Sequence, residues 1–285
     1  MPHSDPKTLV STDWLADHLT SSDLRLFDAS WFLPNVARDA RAEYEAQHIP
    51  GARFFDIDDI ADRRSDLPHM LPPVEKFLSR VRALGVGDGH QIVVYDSIGI
   101  FSAPRVWWTF RAFGKTDIAV LDGGLPKWLA EGRPVTEAPP NIRDRHMIVD
   151  VQPDRVKDVT EVAAAAKLGD WEIVDGRAAD RFRGEAPEPR PGLRMGHIPG
   201  SKNLPWASLL HDDGTMKDPA SLKALFEAAG VDLSKPVISS CGSGVNAAIL
   251  DLALTRIGHE RHAVYDGSWA EWGMYNDLAV ATGEA

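Results

Sequence analysis

Short apolar runs recur along this chain, separated by longer amphipathic stretches. Residues 92–95, Ile118–Leu121 and Val237–Ser240 are brief segments, largely β-branched or apolar, with little polar alternation. Such runs suit strands buried on both faces of a parallel sheet. Between them, apolar residues return every three or four positions, as in 74–84 and 222–229, which predicts helices, and the helix-forming run 247–254 predicts another. Near the start, Ser11 or Thr12 stands before Asp13-Trp14-Leu15-Ala16, a hydroxyl where a helix N-cap belongs. Strands alternating with helices predict an α/β fold, each domain an open, mostly parallel sheet with helices on both faces.

The pattern occurs twice. His48-Ile49-Pro50-Gly51-Ala52 returns as His197-Ile198-Pro199-Gly200-Ser201, and Leu26-Phe27-Asp28-Ala29 before the first copy matches Ile173-Val174-Asp175-Gly176 before the second. The run ending at Asp96 matches the run ending at Cys241, and residues 120–128 match 264–272. The order is kept at an offset drifting between about 144 and 149 residues, as expected of a duplicated domain. A polar stretch carrying Pro134, Pro139, Pro140 and Pro153 separates the copies. This predicts an N-terminal domain over 1–133, a linker over 134–155 and a C-terminal domain over 156–285.

Composition narrows the function. With 285 residues, 44% of them hydrophobic, the chain can build two cores. A net charge of −11 argues against general binding to nucleic acid or anionic membranes. No apolar run reaches the roughly 18 residues of a membrane span. The first residues lack a signal-peptide core and arginine-rich targeting character. A single cysteine allows no internal disulfide and no multi-cysteine zinc site, and suits a reducing compartment. A cytoplasmic location is expected.

That cysteine sits in Ser240-Cys241-Gly242-Ser243-Gly244-Val245-Asn246, between a predicted strand and a predicted helix. In open α/β sheets, ligands bind at the carboxyl ends of strands. Gly242 and Gly244 permit a nest of inward N–H groups, and the following helix adds its positive end. Both favour a thiolate at Cys241. A lone cysteine is more often an inert core residue, but this frame favours a reactive one.

Cys241-Gly242-Ser243-Gly244-Val245, the paired His-Ile-Pro-Gly motifs, residues 265–272 and residues 103–108 together resemble the tandem-rhodanese sulfurtransferases, from about 12 to 272. The resemblance implies two rhodanese-like α/β domains, with the catalytic cysteine only in the second. Asp96 at the matching position cannot carry sulfur, so the first domain is expected to be silent. The resemblance further implies that Gly242, Gly244, Val245 and Asn246 line the sulfur cradle, Asn246 standing where the family usually has threonine. Basic residues directly after the cysteine are typical of thiosulfate-using members. The neutral Gly242-Ser243 pair resembles instead the branch that takes sulfur from 3-mercaptopyruvate. A phosphatase loop of related fold needs an arginine that Ala247 and Ala248 do not supply. Residues 181–192 resemble the family's substrate motif, which puts two donor-binding arginines on Arg181 and Arg190, with Arg183 a weaker third. A proposed proton relay falls on Ser243, His69 and Asp58, and a purely hydrogen-bonding role for His69 and Asp58 stays open. The His-Ile-Pro-Gly turns, Trp107, Trp108, Trp269 and Trp272 are read as packing.

The implied reaction moves sulfur from 3-mercaptopyruvate through a Cys241 persulfide to a thiol acceptor, such as thioredoxin or a small dithiol, or to cyanide. Pyruvate is released, and no metal or organic cofactor is needed. Two alternatives are thiosulfate as donor, and a persulfide carrier that does not turn over.

Overall fold

The computed structural model describes residues 5–284. The chain forms two compact units. The first comprises the chain up to Arg63, residues 71–152 and residues 211–216; the second comprises 64–70, 153–210 and 217 onward.

The first unit holds strands β1 (Leu9–Val10), β2 (Leu24–Asp28), β3 (Arg53–Phe54), β4 (Gln91–Tyr95) and β5 (Ile118–Leu121). They form one parallel sheet in the order β1-β5-β4-β2-β3, with Asp28 beside Tyr95 and Val94 beside Val120. Its helices are α1 (Thr12–His18), α2 (Ala40–Ala46), α3 (Ile57–Ile60), α4 (Val74–Ala83), α5 (Ala103–Ala112) and α6 (Gly124–Ala130). The second unit repeats the plan with β6 (Val156–Lys157), β7 (Glu172–Asp175), β8 (Lys202–Asn203), β9 (Val237–Ser240) and β10 (His262–Tyr265), in the order β6-β10-β9-β7-β8. Its helices are α7 (Val159–Leu168), α8 (Ala179–Arg183), α9 (Pro219–Ala228), α10 (Ala247–Arg256) and α11 (Ser268–Trp272). The same strand order in both sheets is what duplication of one domain produces.

Local chemistry explains the elements. Ser11 caps α1, its hydroxyl accepting from Trp14 N at 3.1 Å. Asp158 and Glu161 close a reciprocal capping box on α7, and Gly169 ends that helix at φ +68°. Helix α10 is apolar around nearly its whole circumference and is buried from Ala247 to Leu254, Asp251 included. Both His-Ile-Pro-Gly motifs are turns. His48 Nδ1 lies 2.7 Å from Tyr44 O and His197 Nδ1 lies 2.8 Å from Phe182 O, while Gly51 and Gly200 take φ of +82° and +79°. The tryptophans pack as expected: Trp107, Trp108, Trp269 and Trp272 are all buried.

Val10, Leu26, Val93, Tyr95, Leu121 and Trp128 belong to the core of the first unit. Ile173, Ile198, Ile238, Tyr265, Trp269 and Trp272 belong to that of the second. The proline-rich stretch is extended chain held to the first unit. Thr136 O accepts from His48 N at 2.9 Å, and Met147 O accepts from Arg82 Nη2 at 2.9 Å. Asp150 N donates to Phe113 O and Gln152 N to Ala112 O. Among the described residues, no helix is long and apolar enough to cross a membrane.

Candidate active site

Cys241 follows the last residue of β9, at the carboxyl end of the sheet, and is 2% exposed. Both peptide groups flanking its Cα are anchored. Its N–H donates to Ser268 Oγ at 3.2 Å, and its C=O accepts from Trp269 N at 3.0 Å. Ala270 N then bonds Gly242 O at 2.8 Å. Gly244 takes φ +78°, the left-handed turn expected of this loop. Gly242 does not lie in that region; it is glycine for want of space. A Cβ there would stand 3.1 Å from Arg181 Nη2. Ser243 and Val245 are buried, and Asn246 occupies the N-cap of α10 in a helical conformation, without a side-chain cap.

Arg181, from α8, reaches this loop under the control of a buried charge chain. Its Nη2 donates to Glu188 Oε2, and Glu188 Oε1 accepts from Arg177 Nη1 at 2.7 Å. Arg177 grips Asp175 with Nε and Nη2, the latter at 2.7 Å, and bonds Gly196 O at 2.8 Å. Its guanidinium lies 4.3 Å from the Trp269 ring centre. The side chains of Asp175, Arg177 and Glu188 are 3%, 1% and 2% exposed, so only Arg181, at 24%, presents charge to a ligand.

Arg190 Nη2 lies 3.3 Å from His69 Nε2. Arginine only donates, so His69 Nε2 is the acceptor and carries no proton in this contact. His69 belongs to the 64–70 segment of the second unit and takes φ +61°, rare for a residue with a side chain. Asp58 lies in α3 of the first unit, where its Oδ2 accepts from Trp31 Nε1 at 2.9 Å. Arg183 is paired with Glu185 at 2.7 Å. The structure therefore joins Arg181 to the cysteine loop and His69 to Arg190, and gives Asp58 and Arg183 other named partners.

The first unit shows what the same loop does without a thiol. Asp96 is fully buried, and five backbone N–H groups converge on its carboxylate. Ile98 N and Gly99 N donate to Oδ1 at 2.9 and 3.0 Å; Phe101 N, Ser102 N and Ala103 N donate to Oδ2 at 2.8, 2.9 and 2.9 Å. The loop between β4 and α5 is an anion cradle filled by the protein's own carboxylate.

Cys241 is thus a buried thiol at a strand end, with Arg181 beside its loop, where open α/β sheets bind their ligands. The chain belongs to the family built from rhodanese-like domains, whose model matches residues 11–131 and 158–275. It is 43% identical to the human 3-mercaptopyruvate sulfurtransferase over 274 residues, covering 94% of this chain and 92% of the relative. It is 42% identical to the thiosulfate sulfurtransferase of Cricetulus griseus over 273 residues, covering 93% and 92%. The crystal structure of SseA from Escherichia coli, described as a 3-mercaptopyruvate sulfotransferase with the rhodanese fold, superposes with a TM-score of 0.84 at 40% identity, covering 92% of this chain and 99% of that one.

Sequence reasoning missed Asp175, Arg177, Glu188 and Ser268. Two signals were available. Glu188 is an acid set between prolines and two arginines, and Ser268 stands where the first copy has Gly124.

Proposed function

We infer that this chain is a sulfurtransferase that takes the sulfur of 3-mercaptopyruvate onto Cys241 and passes it to a thiol or to cyanide. The observation that carries the assignment of residues is Arg181, partly exposed and held beside the Cys241 loop by its bond to Glu188. The Cys241 thiolate attacks the donor's thiol sulfur, an S–S bond forms and the C–S bond breaks. The electron pair leaves on carbon as the enolate of pyruvate, and one proton taken up at that carbon gives pyruvate. Arg181 and Arg190 bind the carboxylate and ketone oxygens, where charge grows as the C–S bond breaks. Gly242, Gly244, Val245 and Asn246 form the cradle for the persulfide, a reading supported by the carboxylate that fills the equivalent loop at Asp96. Ser243, His69 and Asp58 are assigned to proton delivery, Asp58 on sequence resemblance alone.

In the second half-reaction an acceptor thiolate attacks the outer sulfur and Cys241 leaves as thiolate. A dithiol such as reduced thioredoxin suits this step, since its second thiol then displaces hydrosulfide and closes a disulfide. Mass spectrometry after mixing with 3-mercaptopyruvate tests the reading. A gain of one sulfur atom on Cys241, removed by a dithiol and absent in Cys241→Ser, is expected, with pyruvate released in equal amount. Turnover by Cys241→Ser sinks it.

The thiosulfate-using relative of comparable identity supports a second reading, thiosulfate as donor. The neutral Gly242-Ser243 pair offers a dianion no charge beside the thiol, which favours 3-mercaptopyruvate. A higher kcat/KM with thiosulfate reverses the choice.

A further inference from the structure

Comparison of the two copies singles out Ser268. After β5 the first copy runs Asp122-Gly123-Gly124; after β10 the second runs Asp266-Gly267-Ser268. The backbone is the same at the final position: Gly124 has φ +56° and Ser268 has φ +49°. Glycine adopts that conformation freely, whereas serine does so under strain. The next residue makes the same bond in both copies. Leu125 N donates to Asp96 O at 3.0 Å, as Trp269 N does to Cys241 O. The silent copy has no room for a side chain at this position. A Cβ on Gly124 would lie 2.6 Å from Asp96 O and 3.0 Å from Gly99 Cα. Its loop, 97–102, is one residue longer than the 242–246 loop of the second copy. The shorter loop goes with a hydroxymethyl group where the longer one allows only hydrogen.

That hydroxyl is fully buried and doubly bonded. Ser268 Oγ donates to Tyr265 O at 2.8 Å and accepts the Cys241 N–H at 3.2 Å. Consecutive residues 268 and 269 thus hold the peptide groups before and after the Cys241 Cα, which fixes φ and ψ there and aims the Cα–Cβ bond. Asp96 is aimed differently, by five bonds to its own carboxylate. A thiol accepts hydrogen bonds only weakly and cannot be held that way before it carries the anionic sulfur.

We propose that Ser268 is a positioning residue for sulfur transfer, kept in a strained backbone conformation so that its hydroxyl fixes the direction of the Cys241 thiol. The inference rests on Cys241 being the nucleophile, as proposed above. Strain at this position is tolerated because the thiol is misdirected without the hydroxyl, and misplacement of a reacting atom by a fraction of an ångström is costly.

Ser268→Gly separates this role from a structural one, because glycine relieves the strain while removing the hydroxyl. The expected result is a thermal midpoint above that of Ser268→Ala, since both variants leave the Cys241 N–H unpaired and only glycine relieves the strain, with the single-turnover rate of Cys241 persulfide formation from 3-mercaptopyruvate lowered on the order of tenfold. Ser268→Ala, which keeps the strain and loses the hydroxyl, should be slow and also less stable. A parental rate in Ser268→Gly overturns the inference, as does a Ser268→Gly midpoint below that of Ser268→Ala. Neither outcome touches the assignment of Cys241, which stands or falls on persulfide formation and Cys241→Ser.

Discussion

Glu188 is shared between two arginines, and this decides what Gly242 is for. Its carboxylate bonds Arg177, which is itself locked to Asp175 and Gly196, so Arg181 hangs from a buried and nearly immovable anchor. Truncating one member of such a chain leaves an uncompensated buried charge, at a cost of roughly 3–5 kcal/mol. When crowded, the Arg181 guanidinium can therefore shift by the few tenths of an ångström that keep its bond to Glu188, but no further. A methyl on Gly242 would stand 3.1 Å from Arg181 Nη2, tighter than ordinary contact. The backbone at 242 lies outside the left-handed region, so alanine is not excluded by φ. Gly242→Ala is accordingly expected to fold with a thermal midpoint close to the parent's and to displace Arg181 from the donor. Steady-state kinetics should show KM for 3-mercaptopyruvate raised about tenfold, the equivalent of roughly 1.4 kcal/mol of lost binding, with a smaller change in kcat. An unchanged KM shows that Arg181 does not bind the donor from this position.

The strand-to-helix loop carries both copies, and the first copy reports how much the cradle contributes when filled. Asp96 satisfies five backbone donors that have no access to water. Asp96→Ala removes their acceptor, and a destabilisation of about 3–5 kcal/mol is expected in urea unfolding, since buried N–H groups left unpaired cost far more than a hydrogen bond contributes. Folded protein should still form the Cys241 persulfide at the parental rate; parental stability would mean the cradle is indifferent to its anion. The central strands and the long helices were legible in sequence because β4, β5 and β9 carry short β-branched or apolar runs, α4 and α9 span enough turns to show a period, and α10 is an apolar helix-forming run. The edge strands β1, β3, β6 and β8 have two residues each, too few for any pattern, and α8 is a single turn whose position depends on its arginines. Cys241 stood out because glycines frame it, whereas Arg181 and Arg190 were read only through the resemblance of residues 181–192 to the family's substrate motif. Arg177 and Ser268 were not, because their roles depend on a stack under Trp269 and on a positive φ, which are properties of the packed chain alone.

Each unit has a carboxyl and a histidine that burial shifts in opposite directions, at positions the duplication does not relate: Asp28 matches Asp175, and Glu271 matches Lys127. In the first unit, burial pushes Asp28 up to about 6; hydrogen bonds from Ser30 and Tyr95 offset part of this, and the nearby Asp96 adds to it. Burial pushes His90 down to about 4, helped by the cations of Arg25, Arg145 and Lys115. In the second unit burial raises Glu271 and lowers His259. The two effects have opposite signs. Between about 6 and the 3.8 of an unfolded aspartate, folded Asp28 holds a proton that the unfolded chain lacks, so acidification through that window favours the folded state by up to about 3 kcal/mol. Between the 6.5 of an unfolded histidine and about 4, the unfolded chain holds a proton that folded His90 refuses, so acidification through that window disfavours it. The windows overlap, so the contributions of these two groups partly offset one another in mild acid. Asp28→Asn removes one arm of this balance, and its urea midpoint should fall steeply as the pH drops from 6.5 toward 4. His90→Gln removes the other, and its midpoint should rise over the same range. Parallel profiles for parent and both variants would show that neither group titrates in the folded protein within that window.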